Sequence, residues 1–310
     1  MCSKALNKIK GLKELFRWKP VLAWAVSGVL LGLGTAIYES GFNLNYFYLL
    51  LSFMVVIIIQ AFLAHAVNDL VDEEVDKNAK IRETGRVKVL IEGIMNRKDL
   101  MLVSFVSLLF IVGVMIYLTY NLGYFIPILV SVGIYAALGY SLPPLKLGWR
   151  PFSELTIVLP ALTTLVVGVN FVLTGNLSLL AFLVGLVFAF ANIVWFMLSR
   201  AQDAPIDEIM GKNTTMVLFG LKSLDLLLCV YCTWFVLLSL LPWLLYGLIW
   251  FTILVCIAGI GYVLIANRVR VWNVKTIAQA RIRSIYLVFV WSVFTTIVFI
   301  IEGVFSYSVL

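Results

Sequence analysis

The chain has 310 residues, of which 63% are hydrophobic and only 13% charged, and its mean hydropathy is +1.05. Soluble domains are nearer half apolar and a quarter charged, so the soluble, disordered, fibrous and disulfide-scaffold classes are excluded. Long apolar runs exclude a transmembrane barrel, whose strands alternate, and the net charge of +7 reads as membrane topology with no nucleic-acid partner.

The first twenty residues are basic and partly polar, with no apolar h-region or cleavage site. They read as an anchor on anionic membrane lipid rather than a signal peptide or a binding site. Apolar runs follow at 21–38, 46–67, 100–119, 122–142, 155–174, 178–199, 223–243, 245–266 and 285–307. A helix needs about 20 such residues to cross the hydrocarbon. The expected fold is therefore an all-α polytopic membrane protein with nine transmembrane helices around a central cavity. Gly28-x-x-x-Gly32 in the first run marks a close contact with another helix of the same chain. Cys229-x-x-Cys232 lies inside the seventh run with no second pair to complete a zinc site, so packing is its expected role.

All 23 Lys and Arg residues fall in the N-terminal tail or in the loops after the second, fourth, sixth and eighth runs. The positive-inside rule then places the N-terminus and these loops in the cytoplasm. Among the acids, only Glu39 and Glu302 fall on the other side.

Two carboxylate clusters end the second and sixth runs. Asn68, Asp72 and Asp76 are spaced i, i+4, i+8, and Asp203 and Asp207 i, i+4, so each set shares one helical face. Pro205 predicts a helix boundary inside the second cluster. Like charges at this spacing repel, and a divalent cation relieves them. Oxygen-only donors suit Mg2+, which binds through one or two carboxylates plus substrate phosphates. Lys77, Lys80, Arg82, Arg86 and Lys88 follow the first cluster and Lys212 the second, and acid for metal with base for phosphate is the pattern of a diphosphate site. Each cluster closes the second span of a four-span half. This predicts one transmembrane domain over 1–310, with pseudo-repeat halves at about 20–150 and 151–266 and a ninth helix at about 285–307. His65, the sole histidine, reads as a supporting or packing residue or as a proton-transfer group.

Asn68-Asp69-x-x-Asp72-x-x-x-Asp76 resembles the first aspartate-rich motif of the UbiA-type intramembrane prenyltransferases. Asp203-x-x-x-Asp207, followed by Gly211-Lys212-x-Thr214, resembles the second. Tyr140-Ser141-x-Pro143-Pro144-x-Lys146, with Glu154 beyond it, resembles the family's inner connection between spans four and five. The resemblance implies Mg2+-dependent transfer of a prenyl group from a polyprenyl diphosphate, such as geranyl or geranylgeranyl diphosphate. The acceptor would be lipophilic, usually aromatic, in quinone or related lipid biosynthesis. It implies Asn68, Asp72, Asp76, Asp203 and Asp207 as metal ligands, the four aspartates being the catalytic set. It implies Asn68, Arg86, Tyr140, Lys146 and Lys212 as diphosphate contacts. Lys19-Pro20 and Arg86-Val87 stand where many members read Arg-Pro.

Two other classes compete. A secondary transporter would carry its acids mid-span, where this chain has none. A CDP-alcohol phosphotransferase needs an Asp-Gly and an Ala-Arg between its acids, and both are lacking.

Overall fold

The computed structural model describes residues 2–78, 88–267 and 273–308. No strand occurs among the described residues. The helices are α1 Cys2–Phe16, α2 Trp18–Ser40, α3 Tyr46–Val71, α4 Glu73–Asn78, α5 Arg97–Leu122, α6 Phe125–Gly139, α7 Glu154–Thr174, α8 Leu179–Ile209, α9 Thr215–Phe219, α10 Leu224–Tyr246, α11 Ile249–Asn267 and α12 Val274–Ser308.

Eight of these (α2, α3, α5, α7, α8, α10, α11 and α12) are long and apolar enough to cross a membrane. The fourth apolar run gives the shorter α6, whose 15 residues extend about 22 Å at 1.5 Å each, against a hydrocarbon core of about 30 Å. Its start is set by Gly123, where φ is 97° and α5 has just ended. Beyond its end lie Pro143 and Pro144, which lack the N–H a continuing helix requires.

Two boundaries differ from the sequence expectation. Helix α8 continues through Pro205 to Ile209 with the proline inside it; the missing N–H removes one hydrogen bond of the ladder and does not end the helix. Helix α12 starts at Val274 rather than near 285, so Lys275, Arg281 and Arg283 extend a helix instead of a loop.

Helix α8 is apolar on nearly every face as far as Leu198 and, as such a helix must be, lies inside the bundle against α7, α10 and α12. Helices α3, α5, α6 and α7 pack successively to one side of it. Helix α2 crosses α7 through Gly28 and Gly32. A Cβ on Gly28 would collide with the Leu165 side chain, and one on Gly32 would meet Val169 at 2.6 Å and the Val166 carbonyl at 2.9 Å. The G-x-x-x-G spacing therefore does serve a close contact within the chain. Gly32→Leu should separate α2 from α7 and cost about 1–3 kcal/mol, read as a lowered unfolding temperature in detergent. At the bundle end opposite the aspartate clusters, Glu39 accepts hydrogen bonds from Asn170 (2.9 Å) and Ser178 (2.6 Å), which ties α2, α7 and α8 together.

Candidate active site

Helix α3 stops at Val71, yet the Asp72 N–H still donates to the Asn68 carbonyl (2.9 Å) and the Asp76 N–H to the Asp72 carbonyl (2.8 Å). The i, i+4, i+8 face thus survives the break before α4. The Asn68 amide nitrogen donates to Asp72 Oδ2 (3.1 Å) and to Ser141 Oγ (3.3 Å). Asp72 Oδ1 accepts from Trp149 Nε1 at 3.3 Å. Asp203 and Asp207 occupy the last turns of α8, the first half-buried and the second 2% exposed.

The two clusters meet on one cation. Lys212 Nζ lies 3.3 Å from Asp72 Oδ2 and 3.6 Å from Asp207 Oδ1, although these acids are far apart in sequence. Lys212 is itself buried. It reaches them because Gly211, with φ of 71°, turns the chain back after α8, and because the Lys212 N–H donates to the Asp207 carbonyl (2.8 Å). The next residue pins the loop across the site, its N–H donating to the Trp149 carbonyl (3.0 Å). Lys146 and Lys212 both place an ammonium over the Trp149 ring, 4.5 and 5.0 Å from its centroid. An indole in such a position attracts cations and fixes where they stand.

A second ionic chain runs beside the first. Lys88 Nζ bridges Asp76 Oδ2 (2.8 Å) and Asp69 Oδ1 (3.0 Å), and Arg17 Nη2 adds a contact to the same Asp69 oxygen (2.8 Å). The His65 Nδ1 is 2.8 Å from the Leu15 carbonyl, so its observed role is to seat the end of α1. The tail is therefore more than a surface anchor, since it closes over the inner end of α3. Arg17 was missed as a site residue because nothing in the tail's local pattern separates it from the lysines around it.

Trp149, Arg200, Gln202 and Glu154 complete the surroundings. The Arg200 guanidinium stacks at 5.1 Å on Tyr140 and 5.0 Å on Phe196 and donates to Ser153 Oγ (3.1 Å). Its i, i+3 spacing to Asp203 was a legible signal. Gln202 is buried, and neither atom of its amide has a partner among the described residues. Glu154 is fully buried and accepts from Thr215 Oγ1 (2.9 Å) and the Tyr231 hydroxyl (3.0 Å). It thereby ties the segment after Lys212 to α7 and α10. Glu154→Leu should leave both hydroxyls buried without an acceptor. The expected loss is at least about 2 kcal/mol of stability, read as a lowered thermal unfolding temperature in detergent. Arg86 lies outside the described residues.

Asn68 and Tyr140 also line the inner end of a cavity of about 540 Å3, within the range of ligand sites. Its aliphatic wall comes mainly from α3, α6 and α7, including Val55, Ile126 and Val172, and residues of α1, α2, α5, α8 and α12 complete the lining, with the cations Arg17, Lys19 and Arg281 among them. The aspartates stand beside its mouth.

The donor set fits magnesium. Among the described residues no group of three acidic, His or Cys side chains converges closely enough to hold an ion alone. Two carboxylates from separate segments, the break after α3 and the end of α8, do converge on one positive centre. One or two carboxylates completed by phosphate oxygens and water is how Mg2+ is ordinarily bound.

Paired acid clusters beside an apolar cavity sit on a bundle of membrane-length helices. The model of the UbiA prenyltransferase family matches residues 18–294, and the chain belongs to that family; it is an integral membrane prenyltransferase. Solved structures share the fold. A UbiA homolog from Archaeoglobus fulgidus bound to GPP and Mg2+ is 16% identical with a TM-score of 0.67, over 92% of this chain and 99% of that one. A digeranylgeranylglyceryl phosphate synthase is 19% identical with a TM-score of 0.64, over 96% and 98%. The apo UbiA homolog from Aeropyrum pernix K1 is 15% identical with a TM-score of 0.64, over 86% and 96%. No curated protein matches the chain in sequence.

Proposed function

We propose that the chain transfers the prenyl group of a polyprenyl diphosphate to a lipophilic, aromatic acceptor of the quinone type, in a Mg2+-dependent reaction. The observation that carries this reading is the convergence of Asp72 and Asp207 on Lys212 beside the mouth of an apolar cavity. The GPP and Mg2+ bound to the Archaeoglobus fulgidus homolog support it.

In this reading Asn68, Asp72, Asp76, Asp203 and Asp207 hold the metal, directly or through water. Bound there, Mg2+ acts as a Lewis acid on the leaving diphosphate. Lys212, Lys146 and Arg86 take up further negative charge as the allylic C–O bond breaks, and Tyr140 and Asn68 orient the head group at the cavity mouth. Fixed cations aimed at developing charge need no reorganisation at the moment of reaction. The aliphatic wall keeps water from the allylic carbocation, and the π-electrons of the acceptor attack it, the displaced ring proton leaving last. The helix count becomes nine crossings with α6 as the fourth, in two four-helix halves plus α12. The N-terminus and the site face the cytoplasm of the cell membrane in this reading, which the charge distribution supports.

The test is direct. Purified protein in detergent is incubated with geranylgeranyl diphosphate, a panel of hydroxylated benzoates and naphthoates, and either Mg2+ or EDTA. A prenylated ring product formed only with Mg2+ is expected. Well-folded protein that binds the diphosphate yet prenylates no aromatic ring would overturn the aromatic acceptor.

A further inference from the structure

The backbone before Trp149 holds that residue in place. The Gly148 N–H donates to the Tyr140 carbonyl (2.8 Å) and the Trp149 N–H to the Lys146 carbonyl (2.8 Å), so residues 140–149 close into one loop. Lys146 takes a φ of 41° in making that turn. A Cβ on Gly148 would meet the Tyr140 ring at 2.8 Å, so only glycine lets the loop lie this close to Tyr140.

Three kinds of contact meet on Trp149. Its indole Nε1 donates to Asp72 Oδ1 (3.3 Å). Its ring lies beneath the ammonium groups of Lys146 and Lys212, 4.5 and 5.0 Å from the centroid. Its carbonyl accepts from the Asn213 N–H (3.0 Å), which fixes the chain next to Lys212. The residue therefore joins the first acid cluster to the loop that follows the second.

These contacts act on different partners. Asp72 Oδ2 accepts from Asn68 (3.1 Å) and Lys212 (3.3 Å), while Oδ1 accepts from the indole. The terminal torsion of an aspartate is broad, so a donor on each oxygen fixes the plane of the carboxylate. Hydrogen bonds of this kind orient metal-ligating carboxylates and tune their affinity for the ion. The ring acts on charge instead, since its negative face attracts both ammoniums and offsets their mutual repulsion. Tryptophan combines a donor-only N–H with the strongest cation-binding face of any side chain.

We infer that Trp149 is a positioning residue with two separable functions: its N–H orients Asp72 as a ligand to Mg2+, and its ring sets where Lys146 and Lys212 stand to receive the diphosphate. This rests on the diphosphate site proposed above.

The experiment titrates geranylgeranyl thiodiphosphate, and separately the Mg2+ needed for its binding, on purified protein in detergent. Wild type is compared with Trp149→Phe, which keeps a ring without the N–H, and with Trp149→Leu and Trp149→Met, which keep neither. Trp149→Phe should raise the Mg2+ concentration for half-maximal binding about tenfold. Its thiodiphosphate affinity in saturating Mg2+ should stay within about threefold of wild type, because a phenyl face still attracts the lysines. Trp149→Leu and Trp149→Met should show the same Mg2+ shift and a further loss of about tenfold in that affinity. Wild-type Mg2+ dependence in Trp149→Phe, or equal thiodiphosphate affinity in all three variants, would overturn the inference. So would a fall of both quantities in step with the unfolding temperature in EDTA, which is the mark of a residue that only packs the loop. Wild-type protein that binds no thiodiphosphate in Mg2+ would instead overturn the diphosphate site itself, and this inference with it.

Discussion

Lys212→Met is expected to destabilise the protein by about 3–5 kcal/mol in EDTA, because it leaves the buried carboxylates of Asp72 and Asp207 facing one another without the ammonium they share. Removing one partner of a buried ion pair has that order of cost. In Mg2+ most of the loss should be recovered, since a divalent cation can occupy the space between the same two oxygens. Prenyl transfer should stay impaired even in Mg2+, because the ammonium that faces the diphosphate is gone. Thermal unfolding with Mg2+ and with EDTA measures the first effect, and product formation the second. An equal loss of stability in both buffers would mean that Asp72 and Asp207 do not form a common cation site.

Asp72→Asn and Asp207→Asn should have the opposite profile. Each keeps the size of the side chain, and at Asp72 the amide oxygen can still accept from Trp149 or Asn68, the partners seen at 3.3 and 3.1 Å. Stability should change little or rise, since one of two like charges is removed. Turnover should fall roughly 10²–10⁴-fold, the rate equivalent of several kcal/mol of lost transition-state charge stabilisation. The double variant should be little worse than either single one, as expected of groups acting as a unit. A Mg2+ titration of activity checks this. Additive losses would indicate two independent sites instead.

Much of this arrangement was legible in the sequence, for identifiable reasons. Helical periodicity is local, so the shared face of Asn68, Asp72 and Asp76 could be read from spacing alone, even though α3 breaks at Asp72. The Gly28 and Gly32 contact was legible because small residues four apart serve close helix approach. The partners that complete the site were not legible. Trp149 reaches Asp72 across 77 positions and Glu154 reaches Thr215 across 61; no local pattern encodes such contacts. Arg17 contacts Asp69 only because α1 folds over the end of α3. The predicted break at Pro205 did not occur: the proline stands inside α8, which runs on to Ile209, because a missing N–H removes one bond of the ladder and the bonds on either side of it carry the helix on.

The central claim is that two distant carboxylate clusters form one magnesium–diphosphate site. Its most direct test is the thermal stabilisation of the purified wild-type protein by geranylgeranyl thiodiphosphate, compared in Mg2+ and in EDTA and repeated with Asp72→Ala and Asp207→Ala. The arrangement on Lys212 predicts stabilisation that requires Mg2+ and disappears in both variants. Stabilisation that persists in EDTA, or that survives in either variant, would contradict it.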